Sequence, residues 1–329
     1  MSSAEIVAMP GGDSEGFAAL CIGPIYLDVN CVRFPCENGL PAEEEIVGRE
    51  YEIAPGGSAV NFARFGRSLG LHTILAGKVG CDAFGQATTQ MLRDSGVVLA
   101  VRVDDLADTA LGINFVAPSG VTAMASVGSA SELLRESDVS AAVDKYADSI
   151  AYIYLGGCFK VPHLVAYFEE LAEFAHKQKI QVVLDHGRIP RGTPSRIIAS
   201  MRSLASTVDL YFPSRTEFLA LWDGGTLDAS ARQALQAGVR DDRVIAVKDG
   251  ALGAVAFTQN ARVQVRANEV EPWNTVGAGD SFNAGFVTAR SLNLDLKESL
   301  DFACAAAAIK ISSLDLPTRA GIERLLVAG

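Results

Sequence analysis

The chain has 329 residues, and 49% of them are hydrophobic, which suits one large globular domain with at most a small appendage. Its formal net charge of −11 argues against a nucleic-acid-binding surface, although a nucleotide can still bind at one local site. No apolar run approaches the roughly 20 residues that a membrane span requires, so we expect a cytoplasmic enzyme without a membrane partner. The six cysteines form no Cys-x-x-Cys pair, so we expect no zinc site.

Residues 1–16 lack the apolar core of a signal peptide, and we expect them to form a flexible tail. Beyond them, short apolar runs alternate with amphipathic helical patterns, which predicts a mostly parallel sheet with helices on both faces. The predicted strands span residues 18–23, 73–79, 97–103, 150–155, 180–184, 210–212 and 244–247, and the predicted helices span 58–69, 84–95 and 164–177. A hairpin at 254–257 and 262–265 follows, and then three helices that begin near residues 279, 295 and 319.

Two stretches depart from this alternation. Residues 26–54 contain no good helix, but apolar and polar side chains alternate at 26–34 and 46–53. Residues 111–117 and 121–127 form a second pair of strand-like segments around a Pro-Ser-Gly turn. These two β segments predict a small sheet that extends from the main body.

A glycine-rich turn opens the first of the last three helices, in the stretch NTVGAGDSF at residues 274–282. Its small residues leave backbone N–H groups free to meet an anion, at the positive end of the helix dipole. Asp280 comes directly after the turn, where it can take a proton from a hydroxyl that attacks phosphorus. The alternative is a glycine-rich helix start with Asp280 as a simple cap.

A second glycine-rich helix start lies nearer the N-terminus, in the stretch PGGSAVNFARFGRSLG at residues 55–70. Paired glycines allow the backbone to approach a ligand closely, and Asn61 in the first helical turn offers a donor and an acceptor to sugar hydroxyls. Taken alone, this stretch is more typical of an ordinary glycine turn and helix cap.

Together the two stretches resemble the two signatures of the ribokinase-like (PfkB) family of carbohydrate and nucleoside kinases, in that family's order and at about its separation. The resemblance implies one α/β kinase domain over residues 17–327, with a central, mostly parallel sheet flanked by helices. It also implies a small β-sheet lid, formed from about 26–54 and 110–128. The family usually has Asp at the first position of the later signature, where this chain has Asn274.

The resemblance also implies roles for individual residues. The amides of Gly277, Ala278 and Gly279 would form an anion hole for the transferred phosphate, with Asp280 as the catalytic base. Glu217 would help to hold Mg²⁺ through water, although Ser214 replaces the family's usual Asn, and the same pair is also typical of a helix capping box. The expected acceptor-binding residues are Asp28, Gly56, Gly57, Asn61 and Asn114, and the expected nucleotide-binding residues are Lys248, Gly250, Gly253 and Thr275.

The sequence thus predicts an ATP- and Mg²⁺-dependent kinase that phosphorylates a hydroxyl of a small sugar. A nucleoside kinase is the alternative, and sugar acids are a further option for the acceptor. An aromatic side chain in the lid would favour a nucleoside by stacking on its base; Phe34 and Phe115 are candidates, and the sequence does not show which way they face. A non-catalytic regulator that binds the same ligands is a further alternative. Arg188, in the segment Asp185-His186-Gly187-Arg188 after a strand, is a weaker candidate for contact with substrate or phosphate. We also expect a homodimer formed through the lid.

Overall fold

The computed structural model of the protein describes residues 18–36, 39–40, 45–117, 122–313 and 315–328. The expected tail at 1–16 and the turn at 118–120 lie outside the described residues. In chain order the strands are β1 (Ala18–Ile22), β2 (Tyr26–Val32), β3 (Glu50–Gly56), β4 (His72–Gly80), β5 (Val98–Asp104), β6 (Ala110–Val116), β7 (Thr122–Val127), β8 (Ile150–Gly156), β9 (Gln181–Asp185), β10 (Leu210–Tyr211), β11 (Val244–Lys248), β12 (Ala254–Phe257) and β13 (Arg262–Val265). The α-helices are α1 (Ser58–Ser68), α2 (Ala83–Asp94), α3 (Glu136–Tyr146), α4 (Val165–Lys177), α5 (Ser195–Thr207), α6 (Arg215–Leu221), α7 (Leu227–Ala237), α8 (Ala278–Ser291), α9 (Leu296–Ser312) and α10 (Arg319–Ala328).

The main sheet has nine strands in the order β13-β12-β11-β10-β9-β8-β1-β4-β5. The strands from β5 across to β11 are parallel, and β12 and β13 are antiparallel and form the predicted hairpin. The predicted mostly parallel sheet is therefore confirmed. Its central strands are buried on both faces, which explains why β1 and β9 appear in the sequence as continuous apolar runs.

Two large apolar clusters lie on the two faces of this sheet. On β1, Leu20 packs into the cluster that contains α3 to α7, whereas Cys21 packs into the cluster that contains α1, α8 and α9. The helices expected on both faces are therefore present. Helices α3, α5, α6 and α7 are not among the elements predicted above, although α5 is as long as the predicted α4. None of the described helices is long and apolar enough to cross a membrane.

The second sheet has four strands in the order β3-β2-β6-β7, and it is the small sheet that the two departing stretches predict. Strand β3 begins at Glu50 and ends at Gly56, so the expected strand at 46–53 is displaced towards the C-terminus. The reason is close packing: a Cβ atom on Gly56 would lie 2.0 Å from a carboxylate oxygen of Asp28 on β2. A glycine at this point allows the strand to continue against its neighbour.

Helix α8 is held between α1 and α9. A Cβ atom on Gly285 would lie 2.9 Å from the Cβ of Ala306 and 3.0 Å from the Cα of Ala303, so the backbones of α8 and α9 approach closely. The hydroxyl of Ser281 donates to the carbonyl oxygen of Ala306 over 2.9 Å. These contacts determine where the first turn of α8 lies, and Asp280 is part of that turn.

Candidate active site

A cavity of about 660 Å³ lies between the lid sheet and the loops at the carboxyl edge of the main sheet. We call it the acceptor cavity. A second cavity of about 540 Å³, which we call the nucleotide cavity, adjoins it. Predicted residues that line the acceptor cavity are Asp28, Gly57, Asn114, Arg188, Glu217, Lys248, Gly250, Thr275, Gly277, Ala278, Gly279 and Asp280. Those that line the nucleotide cavity are Lys248, Gly250, Gly253 and Thr275, together with Ala278 and Gly279.

Asp280 lies in the first turn of α8, directly after the glycine turn. Gly277 adopts a left-handed conformation with φ of 82°, which allows the chain to turn sharply into the helix. One carboxylate oxygen of Asp280 accepts a hydrogen bond from Ser58 Oγ over 2.8 Å, and the other accepts one from Asn61 Nδ2 over 2.9 Å. Both glycine-rich stretches of the sequence therefore meet at this one carboxylate.

The surroundings of Asp280 change its acidity. Burial raises the pKa of its carboxyl to about 7, and the neighbouring Asp185 adds to the rise, while the hydrogen bonds from Asn61 and Ser58 and the charge of Lys248 oppose it. A carboxylate with a pKa near 7 is well suited to accept a proton from a hydroxyl at neutral pH.

A buried polar cluster next to Asp280 is centred on Asp185, at the end of β9. Its Oδ2 accepts hydrogen bonds from Lys248 Nζ over 2.7 Å and from Asn283 Nδ2 over 2.6 Å. Burial alone would raise the pKa of Asp185, but the Lys248 ammonium lowers it, so both groups of the pair are charged. Lys248 also lies against the glycine turn, because a Cβ on Gly279 would be 3.3 Å from its Nζ.

Tyr154 connects this cluster to Asp280. Its hydroxyl shares a hydrogen bond of 2.9 Å with Ser58 Oγ and accepts one of 3.0 Å from Asn283 Nδ2. Neither Tyr154 nor Asn283 is among the site residues predicted above, and the segment around Asp185 is only a weaker candidate there. Asn283 could have been found, because it lies three residues after Asp280 and therefore on the same face of α8.

Asp28 is enclosed by two glycines of the lid. A Cβ on Gly112 would lie 2.1 Å from one of its oxygens, and Gly56 on the other side is equally close. Burial raises the pKa of Asp28 to about 7, with a further contribution from Asp280. Asn114 donates to Asn30 Oδ1 over 2.8 Å, and its own Oδ1 is buried without a hydrogen-bond partner in the described part of the chain. That oxygen can accept a hydrogen bond from a ligand hydroxyl.

Glu217 forms the capping box that the sequence indicates. Its Oε2 accepts a hydrogen bond from Ser214 N over 2.8 Å, and its own N–H donates to Ser214 Oγ over 3.3 Å. The same side chain lines the acceptor cavity. Among the described residues, no group of three or more metal-ligating side chains comes together. Glu217 is therefore compatible with a metal held mainly through other ligands.

The two aromatic residues that were candidates for stacking on a base do not line the acceptor cavity. Phe34 and Phe115 pack against each other, with ring centroids 4.9 Å apart, in a small separate apolar cluster. The aromatic side chains that do line the cavity include Tyr26 and Phe159, which come from β2 and from the loop after β8. These two candidates are therefore not placed to stack on a base in this cavity, and the sequence does not show which face of the lid they occupy.

Asn274 joins the lid to the glycine turn. Its Nδ2 donates to Glu52 Oε2 on β3 over 3.2 Å, and its Oδ1 accepts a hydrogen bond of 3.0 Å from Val276 N. Asn274 is almost fully buried. The small cavity beside it is lined by residues that include two cations, Arg64 and Lys310. An amide can donate to Glu52, whereas a carboxylate at this position would repel it. This pairing gives a physical reason for Asn where the resembled signature has Asp.

The geometry agrees with the comparisons to known proteins. Residues 19–317 match the model of the "pfkB family carbohydrate kinase". The chain therefore belongs to the pfkB family of carbohydrate kinases. It is 28% identical to a ribokinase of Bacillus subtilis over 306 residues, which cover 87% of this chain and 92% of the relative. It is 25% identical to a 5-dehydro-2-deoxygluconokinase of the same species over 331 residues, covering 96% of this chain and 98% of the relative.

Solved structures show the same fold. A putative ribokinase II from E. coli, in complex with ATP and Mg²⁺, superposes with a TM-score of 0.81 at 21% identity, covering 95% of this chain and 99% of the other. A ribokinase of Giardia lamblia superposes with a TM-score of 0.80 at 19% identity, covering 95% of this chain and all of the other. The ribokinase-like fold with its lid sheet is thereby confirmed.

The pairing of Asn274 with Glu52 leads to a prediction about stability. Asn274→Asp removes the donor and places two carboxylates side by side, so we expect a loss of about 1–3 kcal/mol in the free energy of unfolding. Adding Glu52→Gln supplies a new donor and should recover most of that loss. Urea unfolding of the wild type, both single variants and the double variant measures the coupling. Strictly additive effects would show that the two side chains do not interact.

Proposed function

We propose that the protein is an ATP-dependent phosphotransferase that phosphorylates a hydroxyl of a small sugar. The observation that carries this proposal is the position of Asp280. It lies at the start of α8, beside the glycine turn that borders both cavities, and Ser58 and Asn61 hold its two oxygens. A base between an acceptor cavity and a nucleotide cavity is what phosphoryl transfer to a hydroxyl requires.

In the proposed reaction, Asp280 accepts the proton of the acceptor hydroxyl. The hydroxyl oxygen forms a bond to the γ-phosphorus of ATP, and the bond from that phosphorus to the β-phosphate oxygen breaks, releasing ADP. The amides of the turn at Gly277, Ala278 and Gly279 stabilise charge on the transferred group. The Ala278 N–H makes a long bond of 3.3 Å to the Thr275 carbonyl oxygen, which a phosphoryl oxygen can replace.

The nucleotide cavity fits an adenine nucleotide. Its wall is largely apolar and includes Val270, Pro272, Phe282 and Ile311, which suit a flat purine ring, while Lys248 lies where the two cavities meet. Glu217 would help to hold Mg²⁺ through water, and the other ligands of the ion would be phosphate oxygens and water. When bound, Mg²⁺ supplies charge that offsets repulsion between the triphosphate and the carboxylates.

The acceptor is proposed to be a sugar. Both relatives named above phosphorylate sugars or sugar derivatives, as their names state. Asp28 and the unpartnered oxygen of Asn114 supply hydrogen-bond acceptors for hydroxyl groups. A nucleoside is the second candidate, because Tyr26 and Phe159 line the cavity and aromatic rings stack on bases. A non-catalytic regulator would not need Asp280, its two hydrogen-bond donors and the glycine turn together.

The first test is Asp280→Asn. Because an amide cannot take the proton, we expect kcat to fall by roughly 10²–10⁴-fold while ATP and the acceptor still bind. An ADP-release assay with ATP and Mg²⁺ against sugars, sugar acids and nucleosides measures the turnover. Asp144→Asn, an exposed carboxylate on α3, is the matched control and should have no effect. Unchanged turnover in Asp280→Asn would exclude this residue as the base.

The raised pKa of Asp280 predicts how activity depends on pH. The base must be ionised, so kcat/KM should rise with pH through an apparent pKa near 7 and level off above it. Ser58→Ala removes a hydrogen bond that lowers the pKa of Asp280, and it should move this acid limb to higher pH. If the limb stays in place, the titrating group is Asp28, whose pKa is also raised to about 7.

The outer face of the lid supports a homodimer. Side chains on one face of the sheet follow the strand register from Ile53 on β3 through Val29 on β2 to Ile113 on β6. Tyr51 continues this apolar face and is 72% exposed, and Ile53 is 46% exposed. A contiguous apolar face that reaches across the strands is typical of a self-association surface.

We therefore expect light scattering to report a dimer at micromolar concentration. Ile53→Glu places a charge in the middle of the apolar face and should give a monomer, because the charge would be desolvated at the interface. Val239→Glu changes an apolar residue that is 72% exposed outside the lid, and it should leave the dimer intact. A wild-type protein that is monomeric at this concentration would contradict the proposed dimer.

A further inference from the structure

A chain of hydrogen bonds leads from Lys248, where the two cavities meet, to the carboxylate of Asp280. Its intermediate members are Asn283, Tyr154 and Ser58, and the four contacts measure 3.2, 3.0, 2.9 and 2.8 Å in that order. Tyr154 is fully buried and is not among the residues that line the acceptor cavity. Any effect of its hydroxyl on the reaction must therefore pass through its neighbours in the chain.

The chemistry of its partners fixes the orientation of the Asn283 amide. An ammonium group only donates hydrogen bonds, so the atom that meets Lys248 Nζ must be the amide oxygen. An ionised carboxylate only accepts, so the atom 2.6 Å from Asp185 Oδ2 must be the amide nitrogen. The second proton of that nitrogen is directed to the Tyr154 hydroxyl oxygen. The amide therefore offers Tyr154 a donor and no acceptor.

The direction of the remaining bonds follows from the number of protons. Ser58 has one hydroxyl proton, and it donates that proton to Asp280 Oδ1, because an ionised carboxylate can only accept. The bond between Ser58 and Tyr154 must then use the proton of Tyr154. Burial holds the pKa of the Tyr154 hydroxyl well above its ordinary value, so this proton stays in place. With Asp280 ionised, every donor in the chain has an acceptor.

Protonation of Asp280 cannot be accommodated by reversing this chain. A protonated carboxyl would donate to Ser58, and Ser58 would donate to Tyr154. The Tyr154 proton would then face only the N–H of Asn283 and would be buried without an acceptor, which costs free energy. The hydroxyl of Tyr154 therefore favours the ionised form of the base.

Building on the proposed kinase function, we propose that Tyr154 is a positioning residue, which directs the hydroxyl proton of Ser58 to Asp280 and so keeps this base ionised and fixed in orientation. Asp280 lines the acceptor cavity, and the lone pairs that Ser58 and Asn61 leave free accept the proton of the acceptor hydroxyl. Without the Tyr154 hydroxyl, Ser58 can instead accept a bond from the protonated carboxyl, which stabilises the inactive neutral form.

Other charged groups also act on Asp280, and the substitutions proposed below leave them in place. Asp185 on β9 and Asp28 on β2 repel its charge, and Lys248 on β11 attracts it. The acceptor cavity is also lined by Tyr26, Lys160, His186, Arg188 and Glu217. Arg64 on α1 and Lys310 on α9 line the small cavity on the other side of Asn61.

The main test is Tyr154→Phe. The ring of Tyr154 is stacked on that of Phe62 with centroids 3.9 Å apart, and phenylalanine keeps this packing while removing the hydroxyl. Loss of one hydrogen bond should move the acid limb of kcat/KM to higher pH by about 0.5–1 unit. At about pH 6, kcat/KM should fall about 3–10-fold, whereas at about pH 9 it should stay within about twofold of the wild type. KM for ATP should not change.

A double-mutant cycle tests whether Tyr154 acts through Ser58. Ser58→Ala already removes the last bond of the chain, so adding Tyr154→Phe should shift the acid limb no further. The matched control is Tyr152→Phe, at a buried tyrosine on the same strand that does not line the acceptor cavity. Its pH profile should match that of the wild type.

A second replacement keeps the hydroxyl. A ring-fluorinated tyrosine at position 154 is a stronger hydrogen-bond donor, so it should move the acid limb to lower pH, opposite to the effect of phenylalanine. A loss of packing alone does not produce shifts of opposite sign. An upward shift with both replacements would assign the effect to packing and contradict the positioning role.

Three further results would overturn the inference: an acid limb that Tyr154→Phe leaves in place, additive shifts in the double variant, or an equal loss of kcat/KM at every pH. Absence of any Asp280-dependent turnover would remove the kinase function and the positioning role together. Carbon NMR titration of the Asp280 carboxyl, assigned with Asp280→Asn, separates these failures because it needs no turnover. A pKa that rises in Tyr154→Phe would then show the hydrogen-bond chain acting without the proposed reaction.

Discussion

The main physical constraint on this structure is the energetic cost of placing several carboxylates around one cavity. Asp28, Asp185 and Asp280 are all buried or enclosed, and burial together with mutual repulsion would neutralise them without compensation. Lys248 compensates one of them, so that Asp185 remains charged. The others keep pKa values near 7, which makes their protonation responsive to small changes in the cavity.

Hydrogen bonds connect these carboxylates to several elements of the fold. Asp280 is held by donors from the first turn of α1, and the Tyr154 hydroxyl extends the same network to β8. Close packing of α8 against α9 at Gly285 holds the helix that carries Asp280 next to these donors. The position of a single side chain therefore relies on contacts from both signature segments and from the core of the main sheet.

The lid and the glycine turn are physically connected as well. Asn274 accepts a hydrogen bond from the Val276 N–H and donates one to Glu52 on the lid. A displacement of the lid strand would therefore change the hydrogen bonding of the glycine turn. Another part of the acceptor cavity wall, which includes Phe159 and His186, comes from the loops after β8 and β9. The acceptor cavity therefore has one wall that is hydrogen-bonded to the glycine turn and another that belongs to loops of the main sheet.

The sequence by itself determined the features that depend on local pattern. Apolar runs and helical periodicity predict the mostly parallel sheet, and the glycine-rich helix starts indicate Asn61 and Asp280. Long-range packing decided the rest. Asp280 meets Ser58 across 222 residues of chain, and Lys248 meets Asp185 across 63. No local signal encodes such pairings, because they follow from which strand ends become neighbours. The same reason explains why the sequence left the facing of Phe34 and Phe115 open: how the two sheets pack decides which face of a lid strand meets the cavity.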